Sequence, residues 1–392
     1  AFMVYILHNQ LSWEIFRGYE DYWLLILGTI SVLKLGNTVR HWKEITLPYR
    51  FNLYTQPKLE NKMSDIHLDR FLKKEKLGGK RFALHFKNAN TLSVKPYVDK
   101  KNDILHYLNY HNEAIEMDVI ALESRKLKLD FYRLPKYFEF MPHMLQENKV
   151  YYGEYKEGGY YQAFDHITHM ITAGESGSGK SNFMNLLIMS LLWNIEKIEH
   201  LYMIDLKGVE LIRYAPLSKV TFIDTLHGTL EILTQLKEIM NERFEEMKQQ
   251  GHILFEGEPL FIIIDEVGTI GTSSDKKLKD EIFALMIDLF QKGRAGKIIL
   301  WLFAQKIDSS NIPSNVLANI QAKVLMKTDS DFNINETIGT AEQVEEITKD
   351  RPAEFNKGRA IVKDGITSEK TLVQVPYLNP RWSEWVVRVE GG

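Results

Sequence analysis

An α/β fold on a mainly parallel sheet is what the sequence predicts, and three observations predict it. Residues 151–358 alternate short apolar runs with helical segments, the pattern of parallel strands joined by crossover helices. The stretch GESGSGKS at 174–181 sets a glycine-rich turn between one such run and an apolar helix. PLFIIIDE at 259–266 is a run apolar on both faces that ends in two carboxylates, as a strand inside a doubly covered sheet would read.

The strands are expected at 166–173, 200–206, 219–224, 259–265, 297–304 and 322–327. NFMNLLIMSLLW (182–193) is apolar nearly all round and reads as a buried helix. Residues 227–249 form a long amphipathic helix. A further helix spans 276–292, capped by Ser273, Ser274 or Asp275. GRAIVKDG turning into KTLVQVPY (359–377) reads as a hairpin.

Along the whole chain, three regions are expected to differ in character. Residues 1–45 form a membrane-proximal segment, 46–150 a smaller mixed α/β connector domain, and 151–392 the main domain with its hairpin. The connector includes a strand at RFALHF (81–86) and a helix-like stretch at 103–116. Residues 51–110 hold 12 Lys/Arg against 6 Asp/Glu, although the whole chain has a formal charge of −3. Basic character is thus local, and a polyanion partner is not announced by the total. With no Cys among 392 residues, disulfides, thiolate catalysis and Cys-based zinc sites are excluded.

The N-terminus holds two apolar runs, FMVYIL (2–7) and YWLLILGTISVLKL (22–35). Both fall short of the ~17–20 residues of a spanning helix. The second is preceded by Glu14, Glu20 and Asp21 and followed by Lys34, Arg40, Lys43 and Arg50. That asymmetry predicts a short N-terminal membrane helix with the rest of the chain on the cytoplasmic side.

The candidate chemistry lies in the main domain. Gly174, Glu175, Ser176, Gly177, Ser178, Gly179, Lys180 and Ser181 satisfy G-x-x-x-x-G-K-[ST] in the strand–turn–helix setting that gives the pattern its meaning. Glycines let successive backbone N–H groups converge on phosphate oxygens, and the helix from Asn182 adds its positive end. Lys180 would reach the β- and γ-phosphates, and the Ser181 hydroxyl would ligate Mg²⁺. Asp265 would hold the same ion, while Glu266 would polarise the attacking water. ATP and Mg²⁺ are therefore the expected cofactors. Gln305, at the tip of the strand 297–304, is placed to contact the γ-phosphate.

Taken in order, GESGSGKS, IDLKGVEL (204–211), NERFEEM (241–247), FIIIDE and QKGRAGKIILWLFAQK (291–306) resemble the FtsK/SpoIIIE-like DNA translocase ATPases. Residues 150–377 are most similar to coupling proteins of Gram-positive integrative and conjugative elements. The resemblance implies a RecA-like P-loop core, a homo-hexameric ring and ATP hydrolysis between subunits. It implies a DNA-pumping enzyme at the cell membrane with its motor in the cytoplasm, delivering relaxase-bound, preferably single-stranded DNA to a type IV secretion channel. By the same resemblance Gln305 is a sensor, Arg294 a finger acting on a neighbouring subunit, and Lys276, Lys277 and Lys279 a DNA-tracking loop; Lys323 stands where such translocases often have Arg. Residues 378–392 are too few for the winged-helix module of chromosome pumps, which favours the coupling role. The alternatives are a double-stranded chromosome translocase and a protein-export ATPase.

Overall fold

The computed structural model describes residues 20–50, 70–78, 81–87, 94–108, 115–123, 126–307 and 311–382. The chain divides into two compact units. The smaller comprises Ala1–Gly78, Phe82–His111 and Val119–Asp130; the larger comprises Gly79–Arg81, Asn112–Asp118 and Phe131–Gly392. The larger unit therefore begins ahead of residue 151.

Among the described residues, the smaller unit begins with helices Glu20–Arg40 and Trp42–Arg50. The 21 residues of the first give a length of roughly 30 Å. Ser31, Lys34, Asn37 and Thr38 interrupt its apolar run, and no helix among the described residues is long and apolar enough to cross a membrane. Its Val32, Leu33, Leu35 and Val39 are nonetheless exposed. The run 2–7 lies outside the described residues. The chain also forms a four-stranded sheet, β1 (Arg70–Gly78), β2 (Arg81–Lys87), β3 (Ile115–Leu122) and β4 (Lys126–Arg133), in the order β1-β2-β4-β3. Strand β2 realises the expected RFALHF strand. The helix expected at 103–116 is instead Lys101–Tyr107, and Ile115 opens β3. Ile115, Glu116 and Met117 are buried in succession there, so the apolar signal at the end of this stretch belongs to a strand buried on both faces.

The larger unit is built on one ten-stranded sheet. Its strands are β5 (Lys149–Tyr155), β6 (Gly158–Ala163), β7 (Met170–Ala173), β8 (His200–Asp205), β9 (Val220–Ile223), β10 (Leu260–Asp265), β11 (Ile298–Ala304), β12 (Ala322–Leu325), β13 (Arg359–Lys363) and β14 (Lys370–Gln374). Their order is β6-β5-β14-β13-β12-β7-β11-β10-β8-β9. The pairs from β12 to β9 are parallel, and those from β12 back to β6 are antiparallel. All six predicted strands are present, as is the predicted hairpin. The first is shorter than expected, because residues 164–166 form a 3₁₀ turn.

Strand alternation explains the two cores. Along β10, Leu260, Ile262 and Ile264 join one apolar cluster, while Phe261 and Ile263 join the other. The first cluster is covered by helices Leu226–Gln250 and Lys276–Lys292, and the second by helix Lys180–Trp193. Eleven residues of Lys180–Trp193 are buried, which is why its sequence lacks a polar face. Asp275 caps Lys276–Lys292, accepting from the Leu278 N–H at 3.0 Å; Thr225 does the same for the long helix through Gly228.

His169, just before β7, is fully buried. Its Nδ1 accepts the Leu300 N–H at 3.1 Å, and its ring meets Phe290 edge to face. Burial, reinforced by the positive charge of Arg294, pushes its pKa down to about 3. The imidazole is neutral when folded but takes up a proton when unfolded below its ordinary value. Its contribution is therefore fully present above pH ~6.5 and is lost as pH falls toward 3. At pH 5 this costs about 2 kcal/mol relative to neutral pH. His169→Asn keeps an acceptor for Leu300 without the titration. Urea unfolding at pH 5 and 7.5 should show a smaller stability difference in the variant than in the parent.

Candidate nucleotide site

Parallel strands point their C-terminal ends at one edge of the sheet, where ligands of such folds bind. Here that edge collects Gly174 after β7, Asp205 at the end of β8, Asp265 and Glu266 at the end of β10, and Gln305 after β11. Strand β11 lies between β7 and β10. Its tip, Gln305, must therefore fall between the glycine-rich loop and the two carboxylates.

The loop has the backbone its sequence demands. Gly177 and Gly179 have φ of 80° and 98°, values that side chains disfavour. Gly174 donates its N–H to Ala304 O and Glu175 to Lys327 O, so the loop is pinned to the ends of β11 and β12. The Gly358 N–H, at the start of the C-terminal hairpin, donates to Ser178 O at 2.8 Å. A Cβ on Gly179 would stand 2.9 Å from that same Gly358 nitrogen. We expect Gly179→Ala to incur roughly 1–3 kcal/mol of backbone strain and to weaken nucleotide binding at least tenfold. Titration with a fluorescent ATP analogue checks this.

The first intrahelical bond after the loop runs from Phe183 N–H to Gly179 O. The N–H groups of Lys180, Ser181 and Asn182 thus precede the helical ladder, where such groups can meet an anion. The Asn182 side chain is committed elsewhere: its Nδ2 donates to Pro376 O and its Oδ1 accepts from Leu378 N–H. Only its backbone N–H would then be available to a nucleotide. Ser176 and Gly177 are exposed, and the Ser178 hydroxyl is buried without a hydrogen-bond partner.

The Lys180 ammonium, itself buried, lies 3.4 Å from Asp265 and 3.7 Å from Glu266. A cation is thus already accepted between these carboxylates. Among the described residues no group of three His, Cys, Asp or Glu side chains could hold a metal ion. A hydroxyl at Ser181 and a carboxylate at Asp265 match a Mg²⁺ that draws its remaining ligands from phosphates and water. Bound there, Mg²⁺ would neutralise charge on the phosphates.

Glu266 is held in the left-handed region, φ 49°, uncommon for a residue with a side chain. Several contacts impose it. Its N–H donates to Asp265 Oδ1 at 3.0 Å, its carbonyl accepts from Thr269, and its Oε1 accepts the Gln305 N–H at 3.2 Å. Its buried Oε2 has no hydrogen bond, yet two ammonium groups flank it, Lys207 at 3.5 Å and Lys180 at 3.7 Å. A carboxylate oxygen with no hydrogen bond of its own is what polarising a water molecule requires.

Lys207 and Asp205 were not singled out as functional from sequence. Asp205 pairs with Asp265 across β8 and β10. Its carboxylate accepts five backbone N–H groups, those of Lys207, Gly208, Val209, Glu210 and Leu211. Burial raises its pKa, but these donors outweigh burial and hold it below the usual carboxylate value. The loop they shape presents Lys207 to Glu266. An Asp at a strand end with Gly three residues on was the available signal.

One other predicted residue lies apart from this edge. Arg294 is exposed just before β11, at the opposite end of that strand, roughly 20 Å from Gln305 by strand rise. It lines a cavity of about 820 Å³ with His252, Ile253, Phe255 and Lys297. Buried Arg243 frames that region by donating to Glu258 O and pairing with Glu199 at 2.6 Å. Lys276 and Lys277 are exposed at the start of their helix; Lys279 is half-buried and donates to Gly271 O. Lys323 donates to Glu336 O at 2.7 Å, and burial, with Lys363 nearby, lowers its pKa.

The chain is similar to known proteins in sequence and in fold. Residues 139–301 match the FtsK/SpoIIIE family. The Ftsk domain-containing protein YdcQ of Bacillus subtilis is 25% identical over 187 residues, covering 46% of this chain and 38% of that protein. The DNA translocase FtsK of Staphylococcus aureus is 23% identical over 310 residues, covering 72% of this chain and 39% of that protein. The chain thus spans about two fifths of the length of these relatives. Among solved structures, the pCW3 conjugation coupling protein TcpA with ATPγS superposes with a TM-score of 0.57 at 18% identity, covering 83% of this chain and 94% of that one. EssC ATPases 2 and 3 from Geobacillus thermodenitrificans superpose with a TM-score of 0.54 at 16% identity, over 66% of this chain and 52% of that one. These two likenesses establish a shared fold. Residues 139–301, which carry the glycine-rich loop, both carboxylates and Arg294, are an FtsK/SpoIIIE-like P-loop ATPase domain.

Proposed function

We propose that this chain is an ATP-driven DNA translocase that serves as a conjugative coupling protein. The observation that carries the reading is the convergence of Lys180, Asp265 and Glu266 at one sheet edge, with contacts of 3.4 and 3.7 Å. Lys180 and the N–H groups of the loop bind the phosphates, Ser181 and Asp265 hold Mg²⁺, and Glu266 receives a proton from the attacking water. Gln305, bonded to Glu266 through its backbone, stands where loss of the γ-phosphate alters its surroundings.

Arg294 sits too far from its own loop to act there, so its proposed role is on the nucleotide of a neighbouring subunit in a homo-hexameric ring. Lys276, Lys277 and Lys279 are proposed to track the DNA backbone, which suits a motor because phosphate contacts ignore sequence. The cargo is proposed to be relaxase-bound single-stranded DNA, passed to a secretion channel from a membrane-anchored cytoplasmic ring. Similarity to a conjugation coupling protein over 83% of this chain supports that role.

ATP turnover measured with single-stranded DNA, double-stranded DNA and no polymer tests the proposal. Stimulation by single-stranded DNA, weakening with salt as phosphate contacts do, is expected. Stimulation by duplex alone would favour a chromosome-type translocase, and stimulation by an export-substrate peptide alone a protein-export ATPase. Turnover indifferent to every polymer would overturn the motor reading.

A further inference from the structure

Behind the candidate site a buried polar chain joins parts that no sequence motif connects. It starts at Glu175 in the phosphate loop. The Thr328 hydroxyl donates to Glu175 Oε1 at 2.7 Å. Asn333 Nδ2 donates at 3.1 Å to Thr328 Oγ1 and at 3.2 Å to the carbonyl of Gln305. The Gln305 N–H in turn donates to Glu266 Oε1. Asn333 Oδ1 accepts the Ile307 N–H at 2.7 Å.

All three hydrogen-bonding positions of the Asn333 amide recorded here are thus spent on this chain. Asn333 is 1% exposed and Thr328 fully buried, so water does not compete for these groups. A second set of bonds fixes the hub. Ser330 caps the helix Asp331–Thr337 by accepting the Asn333 N–H, and the Ser330 N–H donates to Thr328 Oγ1. Chains of hydrogen bonds in such low-dielectric surroundings polarise one another, and leaving one group unpaired is costly.

The two peptide groups of Gln305 are held from opposite sides: its N–H by Glu266, its carbonyl by Asn333. The position of the Glu266 carboxylate is therefore linked, through one residue of backbone, to the amide of Asn333. That amide is linked through Thr328 to the loop that would grip the phosphates. Glu175 has its pKa held below the usual value, since the hydrogen bonds from Thr328 and Asp329 outweigh the burial that raises it. The relay thus begins on a charged acceptor.

We propose that Asn333 is a positioning residue that couples occupancy of the phosphate loop to the placement of Glu266 and Gln305. The inference rests on hydrolysis of ATP at this site. Its chemistry is indirect: Asn333 touches no substrate and acts by setting the distance and angle of the carboxylate that polarises water. Misplacement of such a group by about 1 Å lowers rate on the order of 100-fold.

Two readouts on the full chain test it. The first separates turnover from binding of Mg·ATP. Asn333→Asp keeps an acceptor for Ile307 but removes both donors. It should lower kcat on the order of 10- to 100-fold, while Kd for ATP stays within about threefold. Thr328→Val should act in the same direction, and Thr328→Ser, which restores the hydroxyl, should recover kcat. Should Asn333→Asp fail to fold, the Thr328 pair carries the test alone. The second readout is amide hydrogen exchange at Gln305 and Ile307 with and without ATPγS. Added nucleotide should change their protection in the parent and leave it unchanged in the variants.

An unaltered kcat in folded Asn333→Asp or Thr328→Val would overturn the coupling. So would a fall in kcat matched by equal losses in Kd and Tm, which marks a purely structural role. Were the parent to show no turnover yet a nucleotide-dependent exchange change lost in the variants, the coupling would stand and the ATPase reading would fall.

Discussion

Glu266→Gln should bind ATP near normally and lose ~10²–10⁴-fold in turnover. The substitution preserves size and the acceptor that receives the Gln305 N–H. What disappears is the charged Oε2, flanked by Lys207 and Lys180. An amide oxygen accepts a proton far less readily, so water is no longer activated. Binding depends on the loop, Lys180 and Ser181, which the substitution leaves in place. Single-turnover hydrolysis alongside equilibrium nucleotide binding distinguishes the two effects. Turnover within a few fold of the parent would remove Glu266 from the role assigned to it.

Asp205→Ala should produce the largest loss of stability. Five backbone N–H groups lose their acceptor together. Each buried donor left unpaired costs about 1–3 kcal/mol. Part of this is recovered as the loop opens to water, so a net loss of roughly 3–5 kcal/mol is expected, in the range that marks a broken buried network. Opening the loop also removes Lys207 from Glu266, and turnover should fall with stability. The pH dependence has a definite sign. A carboxylate whose folded pKa is depressed stabilises above its unfolded value and loses that contribution as pH falls through the folded one. The variant should therefore show a flatter stability profile on the acid side. Chemical denaturation across pH 2–6 measures both.

The phosphate loop and the strand ending in Asp265–Glu266 were legible because their chemistry is local. Three glycines, one lysine and the serine that follows it lie within eight residues. The parallel strands were legible because burial on both faces leaves uninterrupted apolar runs such as Leu260–Ile264. Strands β5 and β6 were not, and YYGEYKEGGYYQ shows why. The partner of β5, β14, lies more than 200 residues away, and Gly153 sits at φ 132° where a Cβ would meet Gln374 O at 2.5 Å. Only that distant contact explains the glycine. Asp205 was hidden for a different reason: its five partners are backbone groups, which carry no residue identity. The helix expected across 103–116 failed because its spacing signal spans a junction with β3. Arg294 was assigned through family resemblance, and strand direction alone now places it at the opposite edge of the sheet.

The hydrogen bond from Gly358 to Ser178 has a consequence for synthesis. Translation delivers the phosphate loop some 180 residues before the hairpin segment that supports it. Contacts of such separation form late and slowly. A nascent chain stopped short of β13 carries the lysine and the glycines but lacks the wall behind them. The support behind the phosphate loop is complete only once β13 and β14 have joined the sheet.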